Sequence, residues 1–126
     1  MLIEGLIAIL IFSIGVLALT GLQAISVKET IHSKYRTDAS YFANQIIGQM
    51  MTDRVNVATY ADSAATANAN KTAWRAAIAA ALPNGAGSVA ADPADPTQVT
   101  VTVTWYNPDE DPAKPHRYQA VARVVF

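Results

Sequence analysis

Residues 1–27 read MLIEGLIAILIFSIGVLALTGLQAISV, an apolar stretch whose single charge, Glu4, stands near its start. No residue from Gly5 to Val27 is charged. About 20 apolar residues are enough for a helix to cross a bilayer core. A helix that is apolar all round needs cover on every side, and a domain this small cannot surround one. A secretory signal is a poor fit as well. Nothing basic precedes the apolar run, Glu4 stands where a Lys or Arg is expected, and Ala24-Ile25-Ser26 makes a weak cleavage site. A membrane anchor is the remaining reading. A carboxylate in such a helix costs about 2.5–3.5 kcal/mol near the bilayer centre and less toward an end. Glu4 therefore calls for a positive partner. The segment itself has no Lys or Arg, so that partner is expected on another copy or another protein.

The first basic residues, Lys28, Lys34 and Arg36, follow the span. Taken alone, the positive-inside rule would leave the larger part of the chain cytoplasmic. That tension disappears if residues before Met1 have been removed.

The chain has 126 residues, a formal net charge of −1 and no cysteine. Beyond the anchor, about 100 residues remain, enough for one small domain held by its core alone. The charge balance gives no reason to expect nucleic-acid contact. Without cysteine there is no disulfide and no thiolate chemistry. His32 and His116 lie far apart in sequence, and neither has a second metal ligand at a familiar spacing. No Ser-His-Asp set, phosphate loop or paired acids suggest catalysis, so no catalytic residue, metal or cofactor is expected and an enzyme is improbable.

Helical patterning continues past the anchor. Between Ser26 and Arg54 there is no proline and one glycine, Gly48. Ile31, Tyr35, Ala39, Phe42, Ile46 and Met50 recur at steps of three and four, which predicts an amphipathic helix over 28–55. Residues 56–70 are small and polar and read as a loop. TAWRAAIAAAL predicts a short helix over 72–82, capped by Asn70 or Thr72 and stopped by Pro83, with Asn84-Gly85 making the turn. Trp74, Ile78 and Leu82 share its core face. Residues 83–97 read as a loop with room for a short strand near Gly87–Ala91. QVTVTVTWY alternates strictly and predicts a strand over 98–106, with Val99, Val101, Val103 and Trp105 on one face. RYQAVARVVF predicts a second strand over 117–126. The prolines of the intervening NPDEDPAKPH suit a turn. The fold class expected is α+β: a long N-terminal helix packed on a small antiparallel sheet, with a second short helix.

This arrangement resembles a type IV pilin. The local match is Leu2-Ile3-Glu4 followed by Leu6-Ile7-Ala8-Ile9-Leu10-Ile11. The fuller run IAILIFSIGVLALTGLQA, and Val101-Thr102-Val103-Thr104-Trp105 in the first long strand, resemble minor pilins of the PilV kind. The resemblance implies a short basic leader removed by a prepilin peptidase after a glycine, a methylated new terminus, and a Met1 at or one residue after that processed start. It implies that Glu4 meets the N-terminal amine of a neighbouring subunit. It also implies that Leu6, Ile7, Leu10, Ile11, Ile14 and Leu17 pack between subunit helices. Residues 1–27 then form the transmembrane and assembly half of the helix, and 28–126 a periplasmic globular domain. Implied partners are other minor pilins, the major pilin and the inner-membrane assembly machinery. The implied location is the inner membrane before assembly and the pilus or cell surface after it. Adhesion and twitching motility are outputs of such fibres.

Two departures bear on which member this is. Major pilins usually carry a proline in the helix and a C-terminal disulfide loop; this chain has no proline from Met1 to Arg54 and no cysteine. Both departures argue against a main fibre subunit and favour a minor pilin or a secretion-system pseudopilin; the reading taken is a minor pilin that takes part in initiation or assembly of the pilus. The rivals are a minor pseudopilin of a type II secretion system and an ordinary single-pass anchored binding domain. Among the remaining features, Asp109-Glu110-Asp111 with Asn107 offers oxygen ligands of the kind Ca²⁺ takes, but it matches no EF-hand loop and reads more simply as a solvated turn. Asn70-Lys71-Thr72 is a formal glycosylation sequon that reads better as a helix start.

Overall fold

A computed structural model describes residues 1–125; Phe126, where the second strand was expected to end, lies outside the described residues. The architecture is α+β. It comprises helix α1 (Leu2–Thr52), a 3-10 turn (Arg54–Asn56), α2 (Val57–Tyr60), α3 (Ala69–Ala81), and strands β1 (Ala86–Ala91), β2 (Gln98–Trp105) and β3 (His116–Arg123). By internal contacts the chain divides into two compact units, Met1–Lys34 and Tyr35–Phe126.

From Leu2 on the first unit is helical, and its uncharged run from Gly5 to Val27 contains no proline to interrupt it. Three of its hydroxyls bond back to the helix itself: Ser13 Oγ donates to Ile9 O at 2.8 Å, Thr20 Oγ1 to Leu17 O at 2.8 Å and Thr30 Oγ1 to Ser26 O at 2.9 Å. These polar groups are therefore satisfied within the segment, the condition a lipid environment imposes.

In the second unit the stripe on α1 becomes core. Ala39, Phe42, Ala43, Ile46 and Met50 are buried, and Tyr35 packs at the margin. They meet Val99, Val101, Val103 and Trp105, every second residue of β2, all buried. The period of 3.6 on the helix and of 2 on the strand thus converge on one core. On α3, Trp74, Ile78 and Leu82 are buried as their four-residue spacing predicts, and the Trp74 indole N–H donates to Phe42 O at 2.8 Å. That bond ties α3 to α1 inside the core.

The sheet is antiparallel in the order β1-β2-β3. Val89 lies opposite Val101, and Val101 opposite Ala120. The turn before β1 takes the Asn84-Gly85 form expected: Asn84 has φ 49°, and its Nδ2 donates to Tyr106 O. Gly87 is required by close approach, since a Cβ there would stand 2.6 Å from the Trp74 ring.

The structure corrects several boundaries. The sheet has three strands rather than two certain ones, β1 being a full partner across six residues. The amphipathic helix ends at Thr52 rather than 55, and residues 57–60 of the expected loop form α2. The next helix begins at Ala69 rather than 72 and ends at Ala81. Its cap is Asn68, whose side chain accepts from the N–H of Asn70 and of Lys71, so neither Asn70 nor Thr72 fills that role. The second long strand runs His116–Arg123 rather than 117–126, although Val124 N still donates to Thr97 O at 2.8 Å.

Candidate functional site

In the first unit every large apolar side chain from Leu2 to Val27 is exposed, the least exposed at 43% (Val16). Leu6, Ile7, Leu10, Ile11, Ile14 and Leu17 all belong to this surface. They do not form a stripe against a core of the chain's own; the helix is apolar on all sides. Glu4 sits in the first turn, where a carboxylate is favoured by the helix dipole. It has no ion pair or hydrogen bond among the described residues. The helix is long and apolar enough to cross a membrane. Apolar area of this extent needs lipid or other helices against it.

In the second unit two polar clusters stand out; the sequence marked the acidic turn of the second but neither the first cluster nor the pairing of Glu110 with His116. The first closes one edge of the sheet. Asp62 lies after α2 and bonds β1 with both backbone and side chain: its N–H donates to Val89 O at 2.8 Å and its Oδ2 accepts from Val89 N at 3.1 Å. Its Oδ1 meets Lys71 Nζ and Arg75 Nη2, each at 2.6 Å. Arg75 Nε also donates to Gly87 O at 2.9 Å. Lys71 is buried at 8% exposure, which its contact with Asp62 makes tolerable. A polar cavity of about 260 Å³ opens beside this cluster, lined by Thr59, Thr66, Asn68 and the two cations. The charges are engaged chiefly in holding α3 and the loop before it against β1.

The second cluster lies in the turn between β2 and β3. Glu110 Oε2 accepts from the Asn107 N–H at 2.9 Å, and both Glu110 oxygens lie 3.1 Å from His116 Nε2. The Asn107 N–H and, after it, the His116 ring hold the Glu110 carboxyl down at about 2. His116 in turn stacks on Trp105, with ring centroids 5.7 Å apart. Asp111 Oδ1 caps the Ala113 N–H at 2.9 Å. So Glu110 and Asp111 make local bonds within an acidic turn in which Asp109 and Asp111 are exposed, as a solvated turn predicts. A six-residue gap between Glu110 and His116 carries no periodic signal, and only the folding of the turn reveals the pair.

Comparison with known proteins finds no matching family model, no matching curated protein and no matching solved structure. The architecture itself, one long N-terminal helix whose second part packs on a small antiparallel sheet, is consistent with the type IV pilin fold.

Proposed function

We propose that this chain is a minor pilin that takes part in the initiation or assembly of a type IV pilus. The observation that carries the proposal is the first unit: a helix with unbroken apolar exposure and one carboxylate in its first turn that has no partner among the described residues. A subunit of this design is held in the membrane until it is drawn into a bundle of like helices. There its apolar residues, among them Leu6, Ile7, Leu10, Ile11, Ile14 and Leu17, supply affinity without direction. Glu4 supplies register, because a carboxylate among apolar helices must find an opposite charge or take up a proton. The terminal amine of an adjacent subunit is such a charge, and pairing with it sets the axial stagger. The chain's task on this reading is assembly rather than catalysis, with other minor pilins, the major pilin and the inner-membrane machinery as partners and the second unit on the periplasmic side.

Mass spectrometry of the N-terminal peptide of the protein extracted from its native membrane tests the route. A methylated terminus at or immediately before Met1 is the result expected. An unmethylated, formylated or plain initiator Met1 would remove the pilin route and leave an ordinary anchored domain.

A further inference from the structure

The two edges of the sheet are treated differently. The outer edge of β1 is closed: Asp62 takes both polar groups of Val89, and Arg75 takes the carbonyl of Gly87. Because the backbone of Val89 points outward, its pairing with Val101 is the non-bonded kind, and Val101 bonds instead to Ala120. The bonded set on β3 is therefore His116, Tyr118, Ala120 and Ala122. The N–H and C=O groups of Arg117, Gln119, Val121 and Arg123 point away from the sheet. None of these has a backbone or side-chain partner at that edge among the described residues. An open edge of this length is a template for another strand.

The side chains beside that edge select what can add. β3 carries two arginines and no acid, HRYQAVAR. Arg117 has no ion pair among the described residues, and Arg123, with its side chain 64% exposed, shares one nitrogen with Asp95 at 2.9 Å. Val121, at 62% exposure, offers an apolar contact between them. Two copies meeting along β3 in the register of fullest overlap would set Arg117 of one copy opposite Arg123 of the other, twice, and like charges directly opposite destabilise a strand pair. The same arginines favour a strand that brings carboxylates to those two positions.

We propose that the free edge of β3 is a docking site for an extended acidic segment of another protein, which adds as a fourth strand with carboxylates facing Arg117 and Arg123 and an apolar residue facing Val121. This holds whether or not the chain is a pilin, since it rests on the second unit alone.

The test uses the full-length protein in detergent micelles and amide hydrogen exchange read by NMR. The probe is a synthetic peptide of alternating valine and threonine with a glutamate at each of the two positions that would face Arg117 and Arg123. A second peptide has lysine at those positions. The glutamate peptide should slow exchange of the Gln119 and Val121 amides about tenfold or more. It should leave the ladder amides of Tyr118 and Ala120 as they were, and the lysine peptide should change neither set. Arg117→Glu with Arg123→Glu should reverse the preference. Val121→Pro, which removes an outward N–H and the apolar contact but no ladder bond, should abolish the effect while the ladder amides stay protected. Three results would overturn the proposal: no change at the outward amides with either peptide, equal protection by both, or protection that grows with protein concentration alone, which would make the occupant a second copy.

Discussion

Glu110 is a carboxylate whose charge is useful only in the folded chain. Its carboxyl is held at about 2, against an ordinary 4.5, by the Asn107 N–H and by His116. Asp95 is likewise held below its ordinary value, chiefly by the hydroxyl and N–H of Thr97. A group whose folded value is depressed adds stability above its unfolded value and loses it as pH falls toward the folded one. The second unit should therefore be insensitive to Glu110 above pH 4.5 and lose its contribution between 4.5 and about 2. The urea midpoint measured across that range checks the sign. In His116→Ala the Glu110 titration, followed by carboxyl NMR, should move upward but stay below 4.5, because the larger cause, the Asn107 N–H, remains. Gly87 matters through space rather than charge. Gly87→Ala places a methyl against the Trp74 ring, also within 2.8 Å of Ile78. Overpacking of that kind costs about 1–3 kcal/mol, and a lowered denaturation midpoint followed by tryptophan fluorescence is the expected result.

The elements of the second unit stand or fall with the contacts at their edges. Asp62 links the loop after α2 to α3 and β1. Asp62→Ala leaves Lys71 buried without its counter-charge and the Val89 N–H without an acceptor. A loss of about 2 kcal/mol is expected, together with faster exchange of the Val89 amide; an unchanged Val89 amide would show that the cluster does not hold β1. Helices and strands with a sustained period were legible in the chain. Val99 to Trp105 alternate without a break, and Trp74, Ile78 and Leu82 mark a helical face, so their burial followed from pattern alone. What pattern could not show was decided by local competition. Asn68, Asn70 and Thr72 are all able caps, and the choice of Asn68 added a turn to α3. Val57–Tyr60 spans four residues, too few for a period to register. Ala86–Ala91 is made of small residues with one strong strand former, Val89, and becomes a strand because β2 and Asp62 hold it from both sides. The Glu110–His116 pair was illegible for the same kind of reason: the turn, not the spacing, brings them together.

On the scale of the whole molecule, a chain of 126 residues commits its first 27 to a surface with no cover of its own. On the proposed reading Glu4, the single charge of that surface, specifies position along the helix axis, because dispersion between apolar side chains is nearly the same at neighbouring registers while a charge pair is not. The apolar run and its lone carboxylate are legible in the order of residues alone. The fold adds that the Ser13 and Thr20 hydroxyls within the run bond back to the helix itself and that Glu4 has no partner among the described residues. The measurement that bears most directly on the role of Glu4 is the recovery of Glu4→Gln in the sheared fibre fraction of cells that also express the unaltered protein. Glutamine keeps the size and removes the charge. Glu4→Gln is expected to reach the membrane at the normal level while its share of the fibre fraction falls about tenfold or more, a loss equivalent to about 1.4 kcal/mol at least. Equal recovery of the two forms from fibres, or absence of the unaltered protein from fibres altogether, would contradict that role.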